Sequence, residues 1–209
     1  MYSASGFRSK APRRSGKRAR DVKQRSRGSA PGLKDHGLIR RLVVTRRPGS
    51  KSAGRLEAGA ITISCSLGRN GLAVSKHEGD GKTPLGRYRV TSGYWRADRL
   101  RRPGGVLKLE PIKSHMGWCD DPRDANYNRP LRLPARASHE DLFRADGLYD
   151  VILLLDHNQS PRVRGLGSAI FFHLTRNKAD PTAGCVAIAR EQMVRLLPRL
   201  SRDCVMIIR

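Results

Sequence analysis

Between Gly165 and Ala189 the chain reads GLGSAIFFHLTRNKADPTAGCVAIA, and this stretch narrows the possible folds more than any other. Ser168 to Leu174 is short, apolar and rich in aromatic residues, which predicts a buried strand. That strand carries His173 to the point where it meets a polar loop. Twelve residues after His173 comes Cys185, introduced by Thr182, Ala183 and Gly184 and followed by a second apolar run, Val186 to Ile188. Two strand ends joined by a loop bring a thiol and an imidazole together. A free cysteine, with a pKa of about 8.5, is mostly protonated at neutral pH, so an adjacent base is what makes it a nucleophile. Gly184 has no Cβ, so its backbone can turn tightly and aim N–H groups at an oxyanion beside Cys185.

The remaining segments are also short. Leu38 to Thr45 (LIRRLVVT) mixes apolar and basic residues as an edge strand does, and Pro48 and Gly49 turn it. Ile61, Ile63, Cys65 and Leu67 alternate with small or polar residues, the period-two signature of a half-buried strand. Gly71 to Ser75 is expected to pair back on it. Arg87 to Trp95 alternates again, and Val106 to Glu110 makes another short strand. Ser138 with Asp141 reads as a capping box opening a short helix to about Arg144. Tyr149 to Asp156 (YDVILLLD) is a strongly apolar central strand that delivers His157 and Asn158 to its end. Glu191 to Leu200 has helical spacing, with Pro198 kinking it or ending it early. Val205 to Ile208 closes the chain as a strand. These elements predict a mainly β sandwich or barrel-like domain with one or two short helices.

Charge bears on partners. The 209 residues hold 42 Lys and Arg against 18 Asp and Glu, a net +24, which favours an anionic polymer: nucleic acid, cell wall or membrane surface. Residues 1–37 are read as a disordered basic tail, because they contain almost no large apolar residue to offset the entropy of ordering. Residues 38–209 are read as the folded domain. No apolar run is long enough to span a membrane, and the N-terminus lacks the apolar core of a secretory signal. Four cysteines without a Cys-x-x-Cys pair suggest neither a zinc knuckle nor a dense disulfide framework, though one disulfide is compatible with them. The long polar segment from Pro111 to Pro134, which holds Trp118, Asp120 and Tyr127, reads as a substrate-lining loop. Its carboxylates lack the spacing of a calcium-binding EF-hand.

These residues resemble a known family. A strand-borne histidine followed by Thr-x-Gly-Cys (His173, then Thr182 to Cys185) is similar to the active site of the YkuD-type L,D-transpeptidases, which cross-link bacterial peptidoglycan through a cysteine thioester. Gly79 to Arg87 (GDGKTPLGR) matches the Asp-Gly-x-Thr-Pro-x-Gly segment upstream in that family. Gly117 to Pro130 with Leu155 to Asn158 resembles a single-domain bacterial branch of it. Together the blocks cover roughly Leu38 to Arg209.

The resemblance implies a β-sandwich with a helix beside the catalytic turn, Cys185 as nucleophile, His173 as base and then acid, and backbone N–H groups at Gly184 and Cys185 as the oxyanion site. His157, Asn158, Thr182, Trp118, Asp120, Tyr127 and Thr83 are expected to line the substrate or support the site. No metal or organic cofactor is implied. The partners would be donor and acceptor peptidoglycan stem peptides, with an anionic polymer as a further partner for the tail. The protein is expected to be a monomer in the cell envelope, although no signal peptide is visible.

Two positions depart from the family. Ala183 stands where a histidine is usual, and Ala187 where an arginine or asparagine is. His157, at the end of a rigid strand, is expected to supply the missing polar group. Rival readings are an L,D-carboxypeptidase, in which water takes the same acyl group, and a basic nucleic-acid-binding protein. Against the latter, aromatic residues are few and are not interleaved with the basic run.

Overall fold

The computed structural model describes residues 37–177 and 180–209, so the tail expected over residues 1–37 lies, apart from Gly37, outside the described residues. In chain order the strands are β1 Ile39–Arg46, β2 Ala53–Ala58, β3 Ile61–Ser66, β4 Leu72–Ala73, β5 Thr83–Pro84, β6 Gly86–Trp95, β7 Leu109–Pro111, β8 Met116–Cys119, β9 Pro130–Arg132, β10 His139–Asp141, β11 Val151–Leu155, β12 Phe171–Thr175, β13 Val186–Ala189 and β14 Leu200–Ile208. One α-helix, α1 Arg190–Leu196, and a 3-10 turn, Leu197–Arg199, lie between β13 and β14. The mainly β expectation holds.

The main sheet runs β11-β12-β13-β3-β2-β1-β14-β6-β7, and an additional pairing of β11 with β6 closes eight of these strands into a ring. Closure depends on the length of β6. One of its edges pairs Val90 to Trp95 with β11, while the other pairs Gly86 to Arg89 with β14 and Gly93 to Trp95 with β7. A closed ring leaves few exposed edges, which is one way a β protein avoids unwanted strand pairing. All eight ring strands contribute to one large core, including Leu42, Leu56, Ile63, Val90, Leu153 and Phe172.

Alternation along the strands separates this core from a second one. Phe172, Leu174, Val186 and Ile188 enter the large core. Their neighbours Phe171 and Cys185 turn to the opposite face, into a smaller cluster with Trp118, Tyr149 and Ile152. A three-stranded sheet, β10-β8-β9, supplies Trp118 to that cluster. β12 is therefore buried on both faces, which is why its sequence reads as an unbroken apolar run.

Several expectations need correction. Ser138 to Arg144 is not helical: His139, Glu140 and Asp141 pair with Cys119, Trp118 and Gly117 as strand β10, so ladder bonds replace the capping box. β1 is not an edge, since it pairs with β2 on one side and β14 on the other. The strand after Gly71 pairs in parallel with β5 rather than with β3. β14 begins five residues before Val205; Arg202 and Asp203 are exposed, and that polar pair hides the strand in the sequence. The helix ends at Leu196, two residues before Pro198, whose ring cannot continue it. Of its apolar positions Met193 and Leu196 are buried but Val194 is exposed. All four cysteines are unpaired and buried.

Candidate active site

β12 and β13 run parallel and in register, with His173 opposite Ala187. The same register puts Cys185 level with Phe171, one step of the pleat from His173 on the same face. Both residues line one cavity of about 500 Å³. Cys65, Cys119 and Cys204 lie elsewhere in the packing, and among the described residues Cys185 is the cysteine this cavity reaches.

Backbone groups clamp the thiol. Cys185 donates its S–H to the Ala169 carbonyl at 3.1 Å, and the Phe171 N–H donates to its Sγ at 3.3 Å. Burial pushes the Cys185 thiol up to about 12, with Glu140 adding to the rise and the Lys76 ammonium opposing it. The imidazole is equally enclosed. His173 Nδ1 faces the Leu174 carbonyl at 2.8 Å, which can only accept, so this nitrogen carries the proton, and the Leu148 carbonyl also lies within reach of the ring. Burial pulls His173 down to about 4. The resting pair is thus a neutral thiol and a neutral imidazole rather than an ion pair. Tyr149 packs edge-on against the His173 ring at 5.1 Å, and its hydroxyl donates to Glu140 Oε2 at 3.2 Å.

The turn before Cys185 is set by Gly184 and two threonines. Gly184 has φ +147°, and a Cβ there would come within 2.9 Å of the Lys82 carbonyl, so no other residue fits without a backbone shift. Thr182 Oγ1 donates to the Cys185 carbonyl at 2.7 Å and accepts the Gly184 N–H at 3.1 Å. Thr83 Oγ1 donates to the same carbonyl at 3.3 Å and accepts the Gly68 N–H at 2.8 Å. This fixes the GDGKTPLGR block under the cysteine turn.

A family model described as YkuD, an L,D-transpeptidase catalytic domain, matches residues 42–208. The chain belongs to that family. No curated protein matches it. Among solved structures, L,D-transpeptidase 3 from Mycobacterium tuberculosis in complex with a faropenem-derived adduct is 12% identical, with 80% of this chain and 60% of that one covered at a TM-score of 0.36. An L,D-transpeptidase from Mycobacterium smegmatis is 8% identical, with 80% and 58% covered at a TM-score of 0.34. The chain thus spans about 60% of the length of these neighbours.

Within this YkuD domain most of the expected supporting residues fall into two groups, with Thr83 under the cysteine turn and Tyr127 bonded to Glu78. Thr182 and Asp120 line the cavity with Cys185 and His173. Trp118, His157 and Asn158 stand behind it and meet at one residue, Asn128. Asn128 Oδ1 accepts the Trp118 indole N–H at 3.0 Å and the Ala169 N–H at 3.2 Å, while Nδ2 donates to the carbonyls of His157 and Asn158 at 3.1 and 2.9 Å. Tyr127 donates to Glu78 Oε2 at 2.5 Å. The His157 ring lies outside the cavity lining: Nε2 meets the Leu166 carbonyl at 2.9 Å, and the ring packs edge-on against Tyr88 at 5.4 Å.

The sequence reading passed over Lys76, Glu140, Arg144 and Tyr149, all of which line the cavity. Lys76 is only 7% exposed; its ammonium donates to the His77 carbonyl at 2.8 Å and is paired with Asp80. Its side chain uses the room left by two glycines, since a Cβ on Gly167 would lie 2.7 Å from Lys76 Cγ and one on Gly184 3.6 Å from Cε. A lysine three residues ahead of a Gly-Asp-Gly block was the available signal. Glu140 was obscured by the helix assigned to its segment. Ala183 and Ala187 also line the cavity, so two positions that are polar elsewhere in the family present methyl groups here.

Proposed function

We propose that this chain is a cysteine-dependent L,D-transpeptidase acting on peptidoglycan stem peptides through an acyl-thioester. The observation that carries the reading is the shared cavity: one cysteine, on the same face as a histidine whose Nδ1 is committed to a backbone carbonyl, held beside a tight glycine turn. The donor carbonyl lies between the third residue of the stem, a diamino acid, and its terminal D-alanine. Because the resting thiol and imidazole are both neutral, substrate binding must precede proton transfer. Cys185 Sγ attacks the carbonyl carbon as His173 Nε2 takes the thiol proton, and the imidazolium then protonates the departing D-alanine amine. Backbone N–H groups at Gly184 and Cys185 hold the oxyanion, each such donor contributing on the order of 3 kcal/mol. Gly184 must exchange its Thr182 contact to take part. The thioester then passes to an amine of a second stem. This substrate places the site of action in the cell envelope.

The test is incubation of the purified protein with muropeptides, with products identified by mass, alongside intact-mass analysis after exposure to a carbapenem. One adduct is expected, and Cys185→Ala should abolish it. An adduct persisting in that variant on Cys65, Cys119 or Cys204 refutes the nucleophile, and release of trimmed stems without cross-links makes the protein an L,D-carboxypeptidase.

A further inference from the structure

The cavity around Cys185 is chemically divided, although the chain as a whole carries a net +24. Of the four cations in its lining, Lys76, Arg144 and Arg176 are committed, while Arg69 has no ion pair among the described residues. Lys76 is paired with Asp80, and Arg144 sits 2.5 Å from Asp146 and 3.7 Å from Glu140. Arg176 reaches the same Asp146 carboxylate at 3.7 Å and its backbone carbonyl at 2.9 Å. Four carboxylates, Glu78, Asp120, Glu140 and Asp180, line the cavity as well, and they are unevenly compensated; Asp180 accepts from the Asn177 amide at 3.1 Å. Glu140 has Tyr149 and Arg144. Among the described residues Glu78 has only neutral donors, the Tyr127 hydroxyl at 2.5 Å and the Gly79 N–H at 3.3 Å. The carboxylate of Asp120 has neither a hydrogen bond nor an ion pair among the described residues, and its Oδ1 is buried.

A second polar group in the same cavity is also poorly satisfied. Ser168 is 6% exposed and lines the cavity; its Oγ makes no well-formed hydrogen bond among the described residues, the Tyr127 hydroxyl being its polar neighbour. Buried acceptors left open at this density are costly unless a ligand completes them. Asp120 and Glu78 both press on Glu140, whose carboxyl is held above its usual range by burial first and by these neighbours in addition. What would relieve all of them is a cation. Among the described residues no three of His, Cys, Asp or Glu are placed to hold a metal ion. The carboxylates thus do not converge on one point, an arrangement suited to a cation with several N–H donors rather than to a single coordination point.

We propose that Glu78, Asp120 and Glu140, with Ser168 Oγ, form a subsite for a primary alkylammonium, the side-chain amine of the diamino acid in a stem peptide, beside the Cys185 nucleophile. The inference rests on the thioester reading above and assigns the recognition of the amine to this chain's own residues. Where the bound amine is the acceptor, it enters as the ammonium and releases one proton to solvent. The nitrogen then attacks the thioester carbonyl, the C–N bond forms and the C–S bond breaks. The second proton passes through His173 Nε2 to Sγ, which restores the thiol.

The test uses the full chain and two peptide probes. The donor is a tetrapeptide ending in a diamino acid and D-alanine, with its side-chain amine free or acetylated; the acceptor is a tripeptide with one free side-chain amine. The quantity read is the ratio of amide product to hydrolysed tripeptide across acceptor concentrations, which measures how the thioester divides between amine and water. In Asp120→Asn this ratio should fall about 10-fold or more, the loss expected when a partly buried charge pairing is removed, while Asp120→Glu should stay close to wild type. Glu78→Gln is the second variant and should fall likewise. A loss that appears instead as a raised donor KM, and vanishes with the acetylated donor, supports the subsite and assigns the ammonium to the donor. Wild-type ratios and donor KM values in both charge-removing variants overturn the subsite while leaving the thioester intact. Failure of the wild type to form any thioester by mass removes the underlying reading and the subsite with it.

Discussion

The Cys185 thiol is held 3.1 Å from the carbonyl of Ala169, a non-glycine residue with φ +51°, so the nucleophile leans on backbone in the left-handed region. Such a conformation costs an alanine of order 1 kcal/mol and persists only where surrounding contacts enforce it. Here the enforcement comes from Asn128, whose Oδ1 accepts the Ala169 N–H. Asn128 itself has φ +55°, and Asn158, to whose carbonyl it donates, has φ +52°. Three left-handed residues are thus coupled through one buried amide.

That coupling predicts the effect of removing the amide. Asn128→Ala deletes four hydrogen bonds, orphans the Trp118 N–H and the Ala169 N–H, and leaves a β-carbon residue where asparagine tolerates the left-handed region better. A destabilisation on the order of 2 to 4 kcal/mol is expected. Acylation of Cys185 should slow by about 10-fold or more in protein that remains folded, because the thiol loses its fixed position. Thermal melting and the rate of carbapenem adduct formation check this, and an unchanged melting temperature would show that Asn128 is not the support described.

The two buried titratable groups predict an unusual pH response. His173 is held down at about 4 against an ordinary 6.5, so the unfolded chain binds its proton first. Stability from the neutral ring is therefore intact above about pH 6.5 and is lost as the pH falls toward 4. Turnover should share that acid limb, near pH 4 rather than 6.5, since His173 must be neutral to act as base. Cys185 is pushed the other way, to about 12, so the free enzyme should show no thiolate between pH 6 and 9. Alkylation by iodoacetamide should accordingly be slow and should rise about 10-fold per pH unit, without a plateau, over that range. Fast alkylation with a midpoint below 7 would mean that a thiolate and imidazolium pair exists before substrate arrives.

The contrast between what could and could not be read from the chain has a physical basis. β3, β6, β11, β12 and β13 carried unbroken apolar or alternating patterns, and all five formed close to the expected places. β10 and the start of β14 were not legible, because His139, Glu140, Asp141, Arg202 and Asp203 have poor strand propensity and their pairing depends on partners distant in sequence. Cys185 and His173 stood out because their local motif brings them together across two adjacent strands. The role of Asn128 did not, since it exists only through contacts 10 to 41 residues away along the chain.

His157 gives the last prediction. As a polar substitute for the histidine absent at Ala183, it would have to reach the cavity, and its ring instead faces the Leu166 carbonyl and the edge of Tyr88. It also lies directly behind Gly167, where a Cβ would come within 3.1 Å of Nε2. This places the ring against the segment Leu166 to Ala169 that ends at the thiol clamp. Removing it should loosen that segment: His157→Ala is expected to lower the melting temperature and to slow Cys185 acylation by about 3- to 10-fold through poorer positioning, with substrate KM little changed. His157→Gln, which retains a side-chain donor for the Leu166 carbonyl, should recover most of the loss. A group acting directly on the oxyanion would behave otherwise, with kcat falling 100-fold or more at an unchanged melting temperature and no recovery by glutamine. That second pattern would show that His157 enters the cavity during turnover and takes the part left vacant at Ala183.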